Sequence, residues 1–510
     1  MSLFCYASIG FEGNLVEVEV DIRRGIPGLE IVGLPDSAVK EAKDRVRVAI
    51  RNSGFSFPRD RVLINLSPAD VRKEGSGFDL PIALAIMTKA GELPEPGFDV
   101  LALGELQLSG RLRPVRGVLS AIAEGMNAGI EHFVVPDKNR REACALDYGT
   151  VLGVDSLSHA ALAVTGTDLR RECASADGNG ETGKKQQEHS AGDFADMRGH
   201  AAVKRALAIA AAGRHHALLF GPPGSGKTLA ATRLITILPE LSRKESIEIT
   251  RIHSHAGLLD KNEGLIKYPP VRSPHHSATM EGMIGGGRNI RPGEISLAHG
   301  GVLILDEVPE FRRNLIQSLR EPLESGRVEI SRAGASCWFP ADFQLILTAN
   351  PCPCGNLGRD DAVCICTRFE IERYWKKLGG ALLDRVDLRI PVKPVPTSQL
   401  LSSQTASSSA LLEKVASARA VQDERMKRGV RGLNGRLTPP EVAEYCSLDG
   451  RTACEFEQAM RSVQLSSRAC HSILKVSRTI ADMEGEAHIK LPHLFEAIQL
   501  RRYGEGEFFF

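Results

Sequence analysis

Residues 221–228 read GPPGSGKT, a G-x-x-x-x-G-K-[ST] spacing whose chemistry follows from its residue types. Glycines let backbone N–H groups curl around phosphate oxygens. Lys227 is placed to neutralise the β- and γ-phosphates of ATP, and the Thr228 hydroxyl to reach Mg²⁺. HHALLF before the loop reads as a strand, and the segment after it as a helix whose positive end faces the phosphates. Gly221, Pro222, Pro223, Gly224, Ser225, Gly226, Lys227 and Thr228 are therefore the nucleotide-binding candidates. Downstream, GGVLILDE is an apolar strand ending in Asp306 and Glu307. Asp306 suits Mg²⁺ binding and Glu307 suits polarising a water. A third strand, FQLILTAN, ends in Asn350, whose amide can hydrogen-bond a water or the γ-phosphate.

Four of the eleven cysteines follow at once in NPCPCGNLGRDDAVCIC: Cys352, Cys354, Cys364 and Cys366. Two C-x-C pairs can present four thiolates from one loop, which suits tetrahedral Zn²⁺. An iron–sulfur cluster takes the same ligand set, and four free thiols are the bland reading. In any case the cysteines read as structural. His253, His255, His275 and His276 could join a metal site, although SPHH reads better as local packing.

The elements that must position these groups are legible in outline. The segment 172–192 lacks large apolar residues and reads as a flexible linker. Before it, LVEVEVDI alternates as a half-buried strand, and 37–54 has helical spacing and stops at Gly54. VLINLSP and HFVVP read as strands, and DLPIALAIMTKAG and GVLSAIAEGMNAGI as helices, giving a mixed α/β domain. Beyond about residue 395 the pattern is helical. With 64 basic and 63 acidic residues the chain has no global polyanion signature, so any such site must be local. The N-terminal stretch lacks a signal-peptide pattern and no apolar run is long enough to span a membrane. The expectation is a cytoplasmic protein with reduced thiols and no membrane partner.

Long stretches resemble the magnesium-chelatase-like AAA+ ATPases, and more closely the ComM/YifB family of competence-related proteins. They include DMRGHAAVKRALAIAAAGRHHALLFGPPGSGKT, NPCPCG, LLDRVDL and LSSRACHSILKVSRTIADMEG. The resemblance covers essentially everything but the linker. It implies a ring, expected to be a hexamer, with ATP sites between subunits and motion on branched or single-stranded DNA, as in branch migration during natural transformation. Asn350 is similar to sensor 1, Arg385 to a trans arginine finger and Arg468 to sensor 2. The guanidinium groups would stabilise charge on the transferring phosphoryl. LGGALLDR carries Gly379 and Gly380 where the family tends to Ser-Gly-Pro, which is expected to loosen that loop. Residues 326–340 and 285–294 are the candidate DNA-contacting loops, with Arg288, Arg291 and Arg332 as phosphate ligands.

The N-terminal part resembles the proteolytic domain of Lon proteases. The alignment puts Gly77 or Phe78 near the nucleophile position, leaves Ser76 as the only nearby hydroxyl, and finds no lysine in 114–130. A serine without a base is not activated, so this domain is expected to be catalytically dead. The expected fold is thus a Lon-protease-like α/β domain (1–171), the linker (172–192), a P-loop AAA+ α/β core (193–395) and a C-terminal helical lid (396–510). Two other functions fit the nucleotide motifs: a magnesium-chelatase motor, expected to lack such an N-terminal domain, and a scaffold using ATP only to assemble.

Overall fold

The computed structural model describes residues 2–165, 192–259, 264–287, 290–332, 335–359, 361–396, 406–463 and 466–502. The linker candidate lies outside them except for Gly192, as does Arg288.

Among the described residues nine strands precede the linker: β1 (Leu3–Ile9), β2 (Glu12–Arg23), β3 (Gly28–Val32), β4 (Arg61–Ser67), β5 (Val100–Ala102), β6 (Glu105–Leu106), β7 (Leu112–Arg113), β8 (His132–Pro136) and β9 (Thr150–Val154). Seven form a mixed sheet in the order β3-β4-β2-β1-β5-β8-β9, and β6 pairs with β7. The alternation in β2 buries Val16 and Val18 on one face, as period-two patterning requires. Helix Asp79–Lys89 is apolar all round and is buried from Asp79 to Met87, packed on β2 and on helix Ser37–Asn52. Asp79 has no exposed side-chain surface. It takes both Arg45 nitrogens at 3.0 Å and the Leu106 N–H at 3.1 Å.

After the linker come β10 (Ala217–Phe220), β11 (Val271–Arg272), β12 (Gly285–Gly286), β13 (Arg291–Pro292), β14 (Val302–Leu305), β15 (Arg327–Arg332), β16 (Ala335–Pro340), β17 (Gln344–Ala349) and β18 (Leu388–Pro391). Five form an all-parallel sheet in the order β11-β14-β17-β10-β18. Their runs ALLF, VLIL and QLILTA are almost wholly apolar because both sheet faces are covered. The two candidate DNA loops are antiparallel pairs, β12 with β13 and β15 with β16.

From residue 406 on, the described elements are helical: Ser408–Lys427, Pro439–Tyr445, Gly450–Val463, Ser467–Met483 and Leu491–Arg502, with a short turn of helix at Asn434–Arg436. This helical part shares one apolar cluster with the core: Leu207 and Ile209 of helix Ala201–Gly213 meet Val415, Ile473, Val476 and Ile480.

The N-terminal domain is docked on the core rather than merely tethered to it. Phe11 N–H donates to the Trp338 carbonyl of β16 at 3.0 Å, and the Arg251 guanidinium lies 4.4 Å from the Phe11 ring centre. Arg251 Nε and His255 Nε2 both reach Ser120 Oγ, at 3.1 and 3.0 Å. Gly117 N–H donates to Ser254 Oγ at 2.9 Å. Cys144 is disulfide-bonded, which corrects the expectation of uniformly reduced thiols; Cys5, Cys337, Cys352, Cys354, Cys364, Cys366, Cys446 and Cys454 are free. No helix among the described residues is long and apolar enough to cross a membrane.

Candidate functional site

The five-stranded sheet gathers the nucleotide candidates. β17 lies between β10 and β14, so the residues leaving the carboxyl ends of these three strands converge. Ala349 is in register with Phe220, and Gly221 N–H donates to the Ala349 carbonyl at 3.2 Å, which sets Asn350 beside the loop 221–228. Gly221 has no alternative: a Cβ there would lie 2.1 Å from the Val392 carbonyl oxygen. Gly224 and Gly226 take positive φ, and Gly226 caps the helix that begins at Lys227.

Lys227 Nζ donates to the carbonyls of Gly221 (2.8 Å) and Pro222 (2.9 Å) and to Asn350 Oδ1 (3.0 Å). Burial lowers its pKa, while Asp306 and Glu307 pull it back up. Thr228 Oγ1 lies 3.1 and 3.2 Å from the two Asp306 oxygens. Ser225 Oγ is buried with no hydrogen-bond partner among the described residues. A hydroxyl and a carboxylate side by side at the loop, with an orphaned buried hydroxyl close by, fit Mg²⁺ and phosphate oxygens.

Glu307 holds φ +52°, a left-handed conformation that costs a non-glycine residue about 1–3 kcal/mol, and its side chain is exposed. Thr348 supports it. This hydroxyl, wholly buried in β17, accepts the Glu307 N–H at 2.8 Å and donates to Asp306. The sequence reading passed over Thr348, although a hydroxyl inside an otherwise apolar strand was a visible signal.

The two arginines lie together on one carboxylate. Arg385 and Arg468 both pair with Glu324, the latter at 3.3 Å. Neither is among the hydrogen-bond partners of Lys227, Thr228, Asp306 or Asn350. Glu324 was not anticipated; it lies on helix Arg320–Ser325 and meets both arginines only through the tertiary fold. The glycines before Arg385 shape a turn. Gly379 takes φ +71° and its carbonyl accepts Leu382 N–H at 3.2 Å, closing a tight turn into helix Gly380–Leu383.

The four sulfurs of Cys352, Cys354, Cys364 and Cys366 lie within 4.8 Å of one another. Burial pushes the Cys352 thiol up to about 12, while the Asn356 N–H draws Cys354 down to about 6. The histidines are engaged elsewhere: His253 with the Leu297 carbonyl, His255 with Ser120, and His275 with Ser277. In the N-terminal domain Ser76 Oγ donates to Glu105, and Lys73 Nζ to the Pro68 carbonyl, so the serine faces a carboxylate and the nearest lysine in sequence is spent on backbone. Of the DNA candidates, Arg291 is exposed on β13 and its charge adds to burial in lowering the pKa of Arg116; Arg332 ends β15.

Comparison with known proteins agrees in outline. A family described as magnesium chelatase, subunit ChlI, matches residues 193–400, and its C-terminal counterpart matches 405–501. A third, described as subunit ChlI of Mg-chelatase, matches 18–139, so an N-terminal domain of this kind does not argue against a chelatase as expected from the sequence. The chain is 40% identical to competence protein ComM of Haemophilus influenzae over 98% of its own length and 97% of the relative. It is 39% identical to protein YifB of Escherichia coli over 97% and 96%. A Lon protease of Trichlorobacter lovleyi is 23% identical over 27% of this chain and 17% of its own.

Proposed function

This chain belongs to the ComM/YifB family of magnesium-chelatase-like AAA+ proteins, and from that premise we propose that it is a DNA-translocating motor that drives branch migration. The family carries ATP-driven motor activity. The finer reading adds a homo-oligomeric ring, expected to be a hexamer, with DNA in its central channel, working in recombination during natural transformation. The domain limits 1–171, 172–192, 193–395 and 396–510 belong to the same proposal. The observation that carries it is the convergence of Lys227, Thr228, Asp306, Glu307 and Asn350 at the ends of three adjacent strands.

In this reading Lys227 exchanges its backbone carbonyls for β- and γ-phosphate oxygens. Thr228 and Asp306 would hold Mg²⁺, which neutralises phosphate charge when bound. Glu307, held in position through Thr348, accepts a proton from the attacking water, and Asn350 orients that water. Arg385 leaves Glu324 to act as a trans arginine finger on the phosphates of a neighbouring subunit, and Arg468 leaves it to act as sensor 2. The name of the relative, competence protein, supports the role in transformation, and the exposed Arg291 supports a phosphate contact.

The descriptions of the matching families favour one second reading, a chelatase motor. ATP hydrolysis by the purified chain, with and without four-way-junction DNA, separates the two, with Lys227→Ala as the blank. Strong stimulation by branched DNA is expected, and hydrolysis indifferent to any DNA sinks the branch-migration reading. Glu307→Gln should abolish function while keeping ATP binding. Function retained in that variant points to a scaffold.

A further inference from the structure

The loop from Pro351 to Thr367 carries no helix or strand among its described residues, yet it packs against the nucleotide pocket. Cys352 is buried in the core cluster with Leu305, Leu347 and Trp375. Trp375 Nε1 donates to the Pro351 carbonyl at 3.1 Å. Gly355 takes φ +78° against the phosphate loop: a Cβ there would lie 2.9 Å from Pro223 Cδ. A long irregular segment in such a place needs a cross-link to hold it.

The sulfurs supply one. Cys352 and Cys354 are 3.4 Å apart, and Cys364 lies 3.6 Å from each of them. Four sulfurs at ~2.3 Å from one tetrahedral ion stand roughly 3.8 Å apart. Disulfide partners would be at about 2 Å, and these four are free. An iron–sulfur cluster seats its thiolates on more than one metal atom and so holds them wider than a single ion does. Leu357 N–H points at Cys352 Sγ at 3.4 Å, an outer hydrogen bond of the kind that steadies a metal-bound thiolate. Among the described residues no carboxylate or imidazole joins the group. An all-sulfur tetrahedron with no open position is a closed, structural site.

We propose that Cys352, Cys354, Cys364 and Cys366 bind one Zn²⁺, and that the ion fixes the Gly355 turn against Pro223 so that the phosphate loop is preformed for nucleotide. The metal assignment stands independently; its effect on nucleotide rests on the ATPase reading above. The site joins the loop behind Asn350 to the chain leading to Arg385.

Elemental analysis of the full chain, purified with reductant and no added metal, is expected to give about one zinc per chain. The double variant Cys364→Ser/Cys366→Ser should lose at least about tenfold in zinc retention. These two cysteines are less buried than Cys352, so their replacement spares the core. Gly355→Ala should keep its zinc yet bind a fluorescent ATP analogue about tenfold more weakly, as a strained φ and a displaced Pro223 require. Wild-type chain with no zinc and four thiols open to a thiol reagent overturns the site, and bound iron with visible absorption overturns the choice of metal. Equal nucleotide affinity in wild type and both variants overturns the coupling. Zinc at one per chain with no ATP hydrolysis leaves the metal site standing and sinks the ATPase reading instead.

Discussion

The two α/β regions each place polar side chains where a loop enters a helix, but they treat those groups in opposite ways. In the N-terminal domain the polar groups are paired off with one another: Ser76 with Glu105, and Asp79 with Arg45. In the core, Lys227 rests on carbonyls of its own loop, the Ser225 hydroxyl has no partner among the described residues, and Glu307 is exposed. A group already satisfied by a buried partner adds stability and has nothing left for a ligand. A group held by exchangeable contacts at an open strand end can trade them for phosphate or water. The same residue types thus serve architecture in one sheet and, on the proposed reading, chemistry in the other.

The largest test of this contrast is Arg385→Ala. On the proposed reading, in which Arg385 meets the phosphate of a neighbouring subunit, its loss should lower turnover at saturating ATP by about 10³-fold or more. A change below tenfold would return Arg385 to the status of a local ion pair. Asp79→Ala probes the other region. It strands the half-buried Arg45 and should cost about 3–5 kcal/mol in denaturant unfolding of the N-terminal domain. Turnover per folded chain should hold, and a loss as deep as that of Arg385→Ala would break the division between architecture and chemistry.

Acid should act on both regions. Burial lowers His216 in the core to about 3, and burial followed by Arg251 lowers His255 at the domain interface to about 4, both from an ordinary value of 6.5. Each is neutral when folded. The unfolded or undocked chain therefore takes up protons first, and stability is lost as pH falls below 6.5 toward 3 or 4, at up to about 1.4 kcal/mol per pH unit per group. Hydrogen exchange should show helix Val118–Asn127 losing protection as pH falls through that window; protection unchanged down to pH 4 would disprove the interface part. The smallest effect is expected from Glu324→Gln. Glu324 is exposed, so its pairs are worth about 0–1 kcal/mol, and freeing Arg385 and Arg468 should leave stability nearly unchanged. A change of several kcal/mol would mean that the pair is structural.

Much of this was legible in the chain. The runs ALLF, VLIL and QLILTA mark strands buried on both faces, because continuous apolar stretches suit a parallel sheet covered by helices. Glycine spacing around Lys227 marks a phosphate loop, since few other residues allow such close backbone approach. The C-x-C pairs mark a thiol cluster for a related reason: nearby sequence positions can converge without help from the rest of the fold. These are local properties, set by side-chain period and short-range geometry, and the sequence determined them by itself. Strand order was different. Nothing local says that β17 lies between β10 and β14, and that order is what brings Asn350 to Lys227 and Thr348 to Asp306. The same holds for Glu324 with its two arginines, for Phe11 against Trp338, and for Gly355 against Pro223. Each is a contact between distant segments, chosen when apolar faces are buried together, and only the tertiary structure decided it.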